Sequence, residues 1–347
     1  MSNSLGIGFI GAGGITRLRH APGLAAIAGV DLVAVANRTR ASGERFAADF
    51  GVRTVYADWR ELLTDDRVDA VFIGTWPYLH SEISERALGA GKHVFCQARL
   101  AMDAADARRM LAAKEGTELT TMVCPPPHGM QFAPRIKQIV DSGTLGQIRH
   151  LVVRDFNPSY LDPRTPLHWR QRESLSGANT LTLGILYEVL LTWFGLRADW
   201  VLAGDATFVD ERPAGDSSSA VERPDAVFVT AGLENGGLAS LTFSSNAGGA
   251  GETAVSAYGT GASLHWTAGP SSSEGGNLTL RRAPGWTDEQ FKPDPAAAWR
   301  VEADFIAAVR SGTDGNPNWE LGLEYMQFVE AVERSARTGR RVRPASL

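Results

Sequence analysis

A chain of 347 residues is longer than one ordinary hydrophobic core organises and predicts two domains. Its composition, 44% hydrophobic and 21% charged, is that of a folded globular protein, and a net charge of −5 with dispersed Lys and Arg offers no basic block for nucleic acid or a membrane surface. No window approaches the roughly 18 apolar residues of a membrane helix, the first residues lack a basic-then-apolar signal pattern, and Cys96 and Cys124 stand apart in apolar runs, so a cytoplasmic protein with two buried free thiols is expected.

The first third alternates strand and helix. Leu5–Ile10 reads as a short buried strand entering a glycine turn, Val30–Ala36 as a second, Ala70–Gly74 as a third, His93–Cys96 as a fourth and Leu119–Cys124 as a fifth. Helical stretches lie between them over 41–50, 80–90 and 104–114. Continuous apolar strands alternating with helices predict a parallel, doubly wound sheet.

The pattern changes after Pro125-Pro126-Pro127. A helix over 131–142 leads into a strand over 147–155, and a second helix covers 184–194. Strand-like runs follow over 200–210, 226–233, 238–244, 253–258, 263–267 and 277–281, with Gly236-Gly237 and Gly248-Gly249 among the turns between them. They predict a mostly antiparallel sheet. Residues 216–219 and 271–276 read as exposed loops, and 301–310 and 318–338 as helices. The expected fold class is α/β. A Rossmann domain over 1–124 precedes an α/β domain over 125–347 with a large open sheet, whose C-terminal helix packs back on the first domain.

Gly11-Ala12-Gly13-Gly14-Ile15-Thr16 follows the first strand and opens a helix. Glycines there permit a tight turn and let backbone N–H groups approach a pyrophosphate, with the helix dipole assisting. Thr16 stands where the fingerprint has its third glycine. The second strand ends in Ala36-Asn37-Arg38-Thr39, with no acid to bind both ribose hydroxyls. Arg38 instead suits a 2′-phosphate, so NADP is expected, with NAD as the alternative.

Beyond these motifs the chain resembles the Gfo/Idh/MocA family of dehydrogenases over nearly its whole length. The resemblance rests on Gly11–Thr16 followed by His20-Ala21-Pro22-Gly23-Leu24, and on Thr75-Trp76-Pro77-Tyr78-Leu79-His80 after the third strand. Asp141–Ile148 and Arg337-Thr338-Gly339-Arg340-Arg341-Val342 complete it. It implies a nucleotide domain joined to an α/β domain whose sheet mediates a homodimer or homotetramer, and a small sugar or polyol as substrate. Thr75, Trp76 and His80 then belong with Gly11, Gly13, Gly14, Ile15, Thr16, Asn37, Arg38 and Thr39 among the cofactor contacts.

The positions that carry catalysis in that family depart from its pattern. Glu-Lys-Pro is replaced by Gln97-Ala98-Arg99. With Arg99 in place of proline, a trans peptide bond is expected, because a cis bond before a non-proline residue costs about 2.5–4 kcal/mol. Gln97 retains the capacity to hydrogen-bond a ribose hydroxyl. The family's His and Asp on the helix facing the nicotinamide correspond to Leu186 and Val189 in Gly184-Ile185-Leu186-Tyr187-Glu188-Val189. Tyr187 and Glu188 are the titratable groups of that turn, and with Arg99 they are the catalytic candidates. Tyr187 continues an apolar stripe, so Glu188 is expected to be the more exposed. His128, His168, Arg170 and Asn179 are substrate-binding candidates on loops. The histidines have no ligand spacing, so no metal is expected. The leading expectation is an NADP-dependent oxidoreductase acting on an alcohol–carbonyl pair. A lyase, epimerase or hydrolase using transient oxidation, or a cofactor-binding protein without turnover, remains open.

Overall fold

The computed structural model describes residues 4–249, 251–269 and 274–347, so residues 271–273 of the expected loop lie outside the described residues. The chain divides into two compact units, Met1–Pro125 with Arg300–Leu323, and Pro126–Trp299 with Glu324–Leu347.

The first unit is built on a six-stranded, wholly parallel sheet. Its strands are β1 (Leu5–Ile10), β2 (Val30–Ala36), β3 (Thr54–Tyr56), β4 (Ala70–Ile73), β5 (His93–Cys96) and β6 (Thr121–Val123), in the order β3-β2-β1-β4-β5-β6. The order reverses between β1 and β4, which leaves a crevice at their carboxyl ends. Helices α1 (Ala21–Ala25), α2 (Arg40–Phe50), α3 (Trp59–Leu63), α4 (His80–Gly89) and α5 (Ala104–Lys114) fill the crossovers. Side chains of Thr39, Asp58 and Asp103 cap α2, α3 and α5 by accepting backbone N–H groups. Strand β3 and helix α3 escape the sequence pattern because three and five residues are too few to show a period. The core is aromatic. Phe72 stacks on Phe95 with centroids 4.5 Å apart, and Phe305 meets both edge-on at 5.3 and 5.6 Å.

The second unit carries an eight-stranded sheet around β7 (Ile148–Phe156). The other members are β8 (Ala198–Ala206), and, after a separate hairpin of β9 (Glu211–Ala214) and β10 (Ser217–Ala220), β11 (Ala226–Leu233), β12 (Leu238–Ser244), β13 (Glu252–Gly259), β14 (Ala262–Ala268), β15 (Asn277–Arg282) and β16 (Thr287–Phe291). The order is β16-β15-β14-β13-β7-β12-β11-β8, antiparallel throughout except at β7–β12. Alternate residues such as Leu151, Val153 and Asp155 are buried. Opposite them Val152, Leu202, Phe228, Leu238 and Tyr258 are exposed on one open face. Helices α6 (Ala133–Asp141), α7 (Glu173–Ser176) and α8 (Leu183–Phe194) belong to this unit, and Trp193 of α8 packs edge-on against Trp266 of β14 at 5.5 Å. Helix α9 (Val301–Ser311) completes the first unit, and α10 (Trp319–Thr338) begins there and ends in the second. No helix among the described residues is long and apolar enough to cross a membrane. Cys96 and Cys124 are buried and form no disulfide.

The loop expected over 216–219 is instead half of the β9–β10 hairpin, turned at Gly215 and Asp216. Ser217-Ser218-Ser219 has no apolar alternation to reveal a strand, so backbone pairing alone defines it. What seats the hairpin is Arg212, which is fully buried and donates to the Tyr160 and Asp162 carbonyls at 2.5 and 2.9 Å. Its guanidinium lies 4.0 Å from the equally buried Asp225, whose carboxylate also accepts Phe208 and Val209 N–H. Arg212→Leu is therefore expected to cost roughly 3–5 kcal/mol, because Asp225 loses its counter-charge. In urea unfolding, Arg212→Leu/Asp225→Asn should lose clearly less than the sum of the two single changes; additive losses would show that the two groups do not act as a pair.

Candidate functional site

The glycine turn is a cradle with two tight places and two open ones. Gly11 turns the chain at φ +82°, and a Cβ there would lie 2.6 Å from the Thr75 nitrogen, so only glycine fits. Gly13 and Gly14 face open space, where a Cβ would meet nothing within 4 Å. Thr16 is buried although the fingerprint wants glycine. The room comes from the other side. A Cβ on Gly74, just after β4, would lie 2.8 Å from Thr16 Oγ1 and 2.6 Å from the Gly11 carbonyl oxygen. The close approach of helix to sheet is thus kept, with the missing side chain moved from the helix to Gly74. Ile15 is exposed beside the turn.

A cavity of about 620 Å³ opens over this cradle, at the carboxyl ends of β1, β2 and β4. Gly11 and Gly13 line it, as do Asn37, Arg38, Thr39, Thr75 and Trp76. Asn37 Oδ1 accepts the Ala12 N–H at 2.6 Å and so ties the glycine turn to the end of β2. The Arg38 guanidinium lies 5.3 Å from the centre of the Trp76 ring. Ser42 and Arg45 line the same cavity, so this corner of the site holds two guanidinium groups and two hydroxyls. Sequence reasoning missed Ser42 and Arg45, whose signal was their position one turn along α2. Asp58 is the carboxylate of this lining. It accepts the Arg60 N–H at 2.9 Å, and this bond and the Arg60 charge hold its carboxyl below the usual carboxylate range. These residues fit a dinucleotide: a glycine turn open above Gly13 and Gly14 at the start of a helix, and a cationic pocket beyond β2.

His80 and Gln97 were expected to touch the cofactor, and the structure commits their side chains elsewhere. His80 is buried outside the cavity lining, with Nδ1 3.0 and 3.1 Å from the Arg99 and Leu100 carbonyl oxygens and Nε2 3.1 Å from that of Thr75. Burial drives its pKa down, towards a neutral ring. Gln97 donates to His20 Nε2, while His20 Nδ1 faces Glu302 Oε1 at 2.5 Å and Gln97 Oε1 accepts the Ala98 N–H at 3.2 Å. The Ala98–Arg99 peptide bond is cis, which corrects the trans expectation. His20 holds Gln97 on one flank of this bond, and His80 meets the Arg99 carbonyl on the other. Arg99 itself is buried.

In the second unit, His128 lies in the segment before α6, half-buried, with its Nδ1 sealed from solvent and without a hydrogen-bond partner. Burial lowers its pKa and the charge of Asp155 opposes that. Asp155, at the end of β7, accepts the hydroxyls of Thr182 and Thr253 at 2.5 and 2.7 Å. His168 and Arg170 share one short turn: His168 Nδ1 accepts the Arg170 N–H at 3.3 Å, and Arg170 is exposed with its guanidinium 4.3 Å from the Trp169 ring centre. Asn179 is buried and donates to the Ser176 carbonyl at 2.7 Å. Among the described residues no cluster of three or more His, Cys, Asp or Glu could hold a metal ion.

Comparison with known proteins agrees with this geometry. Residues 5–124 match the model of the oxidoreductase family with an NAD-binding Rossmann fold, and residues 134–265 match the GFO/IDH/MocA C-terminal domain. The chain belongs to the Gfo/Idh/MocA family of oxidoreductases. It is 28% identical to 1,5-anhydro-D-fructose reductase of Ensifer adhaerens over 338 residues, 96% of each chain. A crystal structure of an NAD-binding oxidoreductase from Klebsiella pneumoniae superposes with a TM-score of 0.87 at 26% identity, covering 98% of this chain and 99% of that one. A levoglucosan dehydrogenase in complex with NADH and L-sorbose shares the fold, with a TM-score of 0.87 at 22% identity over 98% of both chains.

Helix α8 carries Tyr187 and Glu188 between Leu186 and Val189. Gly184 faces α10, since a Cβ there would lie 3.1 Å from Val329 and 3.4 Å from Tyr325. Tyr187 points the same way, stacked on Phe328 at 3.6 Å and 4°, and its hydroxyl accepts the Ala198 N–H at 2.9 Å. Burial pushes its phenol well up. At 100° per residue Glu188 lies about 40° round from Gly184, while Leu186 and Val189 lie roughly 140–200° round, on the opposite side. Neither polar residue therefore shares a face with Leu186 and Val189. Glu188 was expected to be the more exposed, yet it is fully buried, at 0% against 3% for Tyr187. Ten of the twelve residues of α8 are buried, and Glu188 is closed off even though Thr192, one turn further on the same side, is exposed.

Both carboxyl oxygens of Glu188 lack a hydrogen-bond partner, and burial raises its pKa well above the ordinary value. The native chain thus keeps a proton that the unfolded chain releases above about pH 4.3, and stability is lost as pH rises through that value. Glu188→Leu should stabilise the protein at pH 7 by roughly 1–3 kcal/mol. The gain should shrink towards pH 4. Thermal unfolding across that range checks this: a variant no more stable than the wild type at pH 7, or a gain that grows in acid, would contradict it.

Proposed function

We propose that this protein is an NADP-preferring oxidoreductase acting on a sugar, polyol or related alcohol–carbonyl pair. The observation that carries the reading is the cradle of Gly11, Gly13 and Gly14 opening into a corner of Arg38, Thr39, Ser42 and Arg45, with the Asp58 carboxylate committed to Arg60. When bound, the nicotinamide supplies the two-electron redox chemistry. The helix N-terminus that follows Gly13 would hold the pyrophosphate, and Arg38 and Arg45 would meet the 2′-phosphate. The substrate class is supported by the anhydrofructose reductase that matches over 96% of this chain. The cofactor preference is measured by fluorescence titration with NADPH and NADH. Arg38→Ala should weaken NADPH by roughly 1.5–3 kcal/mol and NADH little. Tighter NADH binding by the wild type, or equal losses for both in the variant, would refute it.

The acid–base role has left α8. Leu186 and Val189 cannot move a proton, and the polar atoms of Tyr187 and Glu188 are buried. His128 is the group we assign to it. Its Nδ1 is unpartnered, and Asp155, fixed by Thr182 and Thr253, supplies a negative charge that favours the imidazolium formed on taking a proton. On an identified substrate, His128→Gln should lower kcat by roughly 10²–10⁴-fold, with Glu188→Gln and Tyr187→Phe retaining turnover if they fold. A His128 variant of undiminished kcat, or a large loss confined to Glu188→Gln, removes the assignment.

The apolar positions 98, 186 and 189 also favour a second reading, in which a tightly held cofactor undergoes transient oxidation during lyase, epimerase or hydrolase chemistry. Cofactor that co-purifies and does not exchange would select it. The exposed sheet face with Phe228, Leu202 and Tyr258 suits a homodimer or homotetramer, and light scattering gives the copy number.

A further inference from the structure

A second cavity, of about 510 Å³, lies wholly in the second unit and is lined by Arg334, Arg340, Arg341 and Arg343 around Trp200. It is of the size of a small-molecule site. We infer that it binds a small compound carrying two or more phosphate charges. The cationic lining stands against the chain's net charge of −5, so it is a local exception in an acidic protein. Arg343 is balanced by Asp199 at 2.9 Å, and the Arg341 guanidinium lies 4.0 Å from the Trp200 ring centre. Arg334 and Arg340 are exposed and make no ion pair among the described residues. A guanidinium fork left free in this way suits a phosphate, whose oxygens accept two N–H bonds at once.

Helix capping accounts for only part of the cluster. Cations in the last turn of α10 favour its negative end, which explains Arg337. Arg340, Arg341 and Arg343 come after the helix has ended, so its dipole does not explain them. Their backbone is held in place. Ser335 donates to the Arg340 carbonyl at 2.6 Å, and Val342 pairs with Val201 of the edge strand β8 through bonds of 2.8 and 3.0 Å. The guanidinium groups therefore radiate from an anchored ribbon, which lowers the entropy lost when a ligand is gripped.

The test is calorimetric titration of the full-length protein with inorganic pyrophosphate, with NADP present to cover the glycine cradle. Arg340 contributes its carbonyl to the fold and its side chain to the cavity, so Arg340→Glu leaves the ribbon intact. Arg53→Glu, on an exposed arginine of the first unit, makes the same charge change elsewhere. The wild type should bind saturably, Arg340→Glu should weaken binding at least about tenfold, and Arg53→Glu should change it less than about twofold. Absence of saturable binding, or a loss in Arg53→Glu as large as that in Arg340→Glu, overturns the inference.

Discussion

The close crossing of the glycine turn over the end of β4 is the constraint on which the cofactor cradle depends. Gly11 sits against Thr75, and Gly74 sits against both Gly11 and Thr16. Any side chain at Gly11 or Gly74 would lift the turn off the sheet and move the helix N-terminus that follows Gly13. Substitution of the third fingerprint glycine by Thr16 is tolerable because fit belongs to the pair of surfaces, and a vacancy on either one satisfies it. The turn is then tied sideways to β2 by the Asn37 bond to Ala12, which places Arg38 at the cavity's far corner.

Most of the first unit was legible because buried parallel strands are continuous apolar runs, and Leu5–Ile10, Val30–Ala36 and Ala70–Ile73 are buried as such. Strands of the second unit were legible through alternation, as in Leu238–Ser244. Illegible elements share a cause: their stability comes from elsewhere in the fold. Ser217–Ala220 is a strand because Arg212 seats its hairpin, and Thr54–Tyr56 because β2 pairs with it. Periodicity records what a segment does for itself and is silent about such support.

The site shows the same division. Residue types that act through their backbone, such as Gly11 and Gly13, or that stand at the end of a strand, such as Arg38 and Thr75, could be placed from sequence position alone. Side chains with several possible partners could not. Gln97 has the donors for a ribose hydroxyl, but His20 is nearer; His80 has a titratable ring, but three carbonyl oxygens surround it. On α8 the apolar sequence has hardly any polar side to fix its rotation. Only the contacts of Gly184 and Tyr187 with α10 reveal that Glu188 turns away from Leu186 and Val189.

Two buried histidines bracket the segment 97–100, and their roles explain how it keeps its place without a proline. Proline fixes a backbone covalently, by restricting φ. Here the hold is distributed. His20, itself against Glu302, accepts from Gln97 before Ala98, and His80 meets the carbonyls of Arg99 and Leu100 after it. A neutral ring has one donor and one acceptor nitrogen, so His20 can join Glu302 to Gln97, a link that no aliphatic residue could make. Such a bracket works only when dry, because water would compete for every bond, and both rings are about 1% exposed. The packing of Phe72 and Phe95 against His20 keeps that side dry. Shape at positions 97–100 is thus a property of the hydrophobic core beneath them and does not depend on which side chains stand at Ala98 and Arg99.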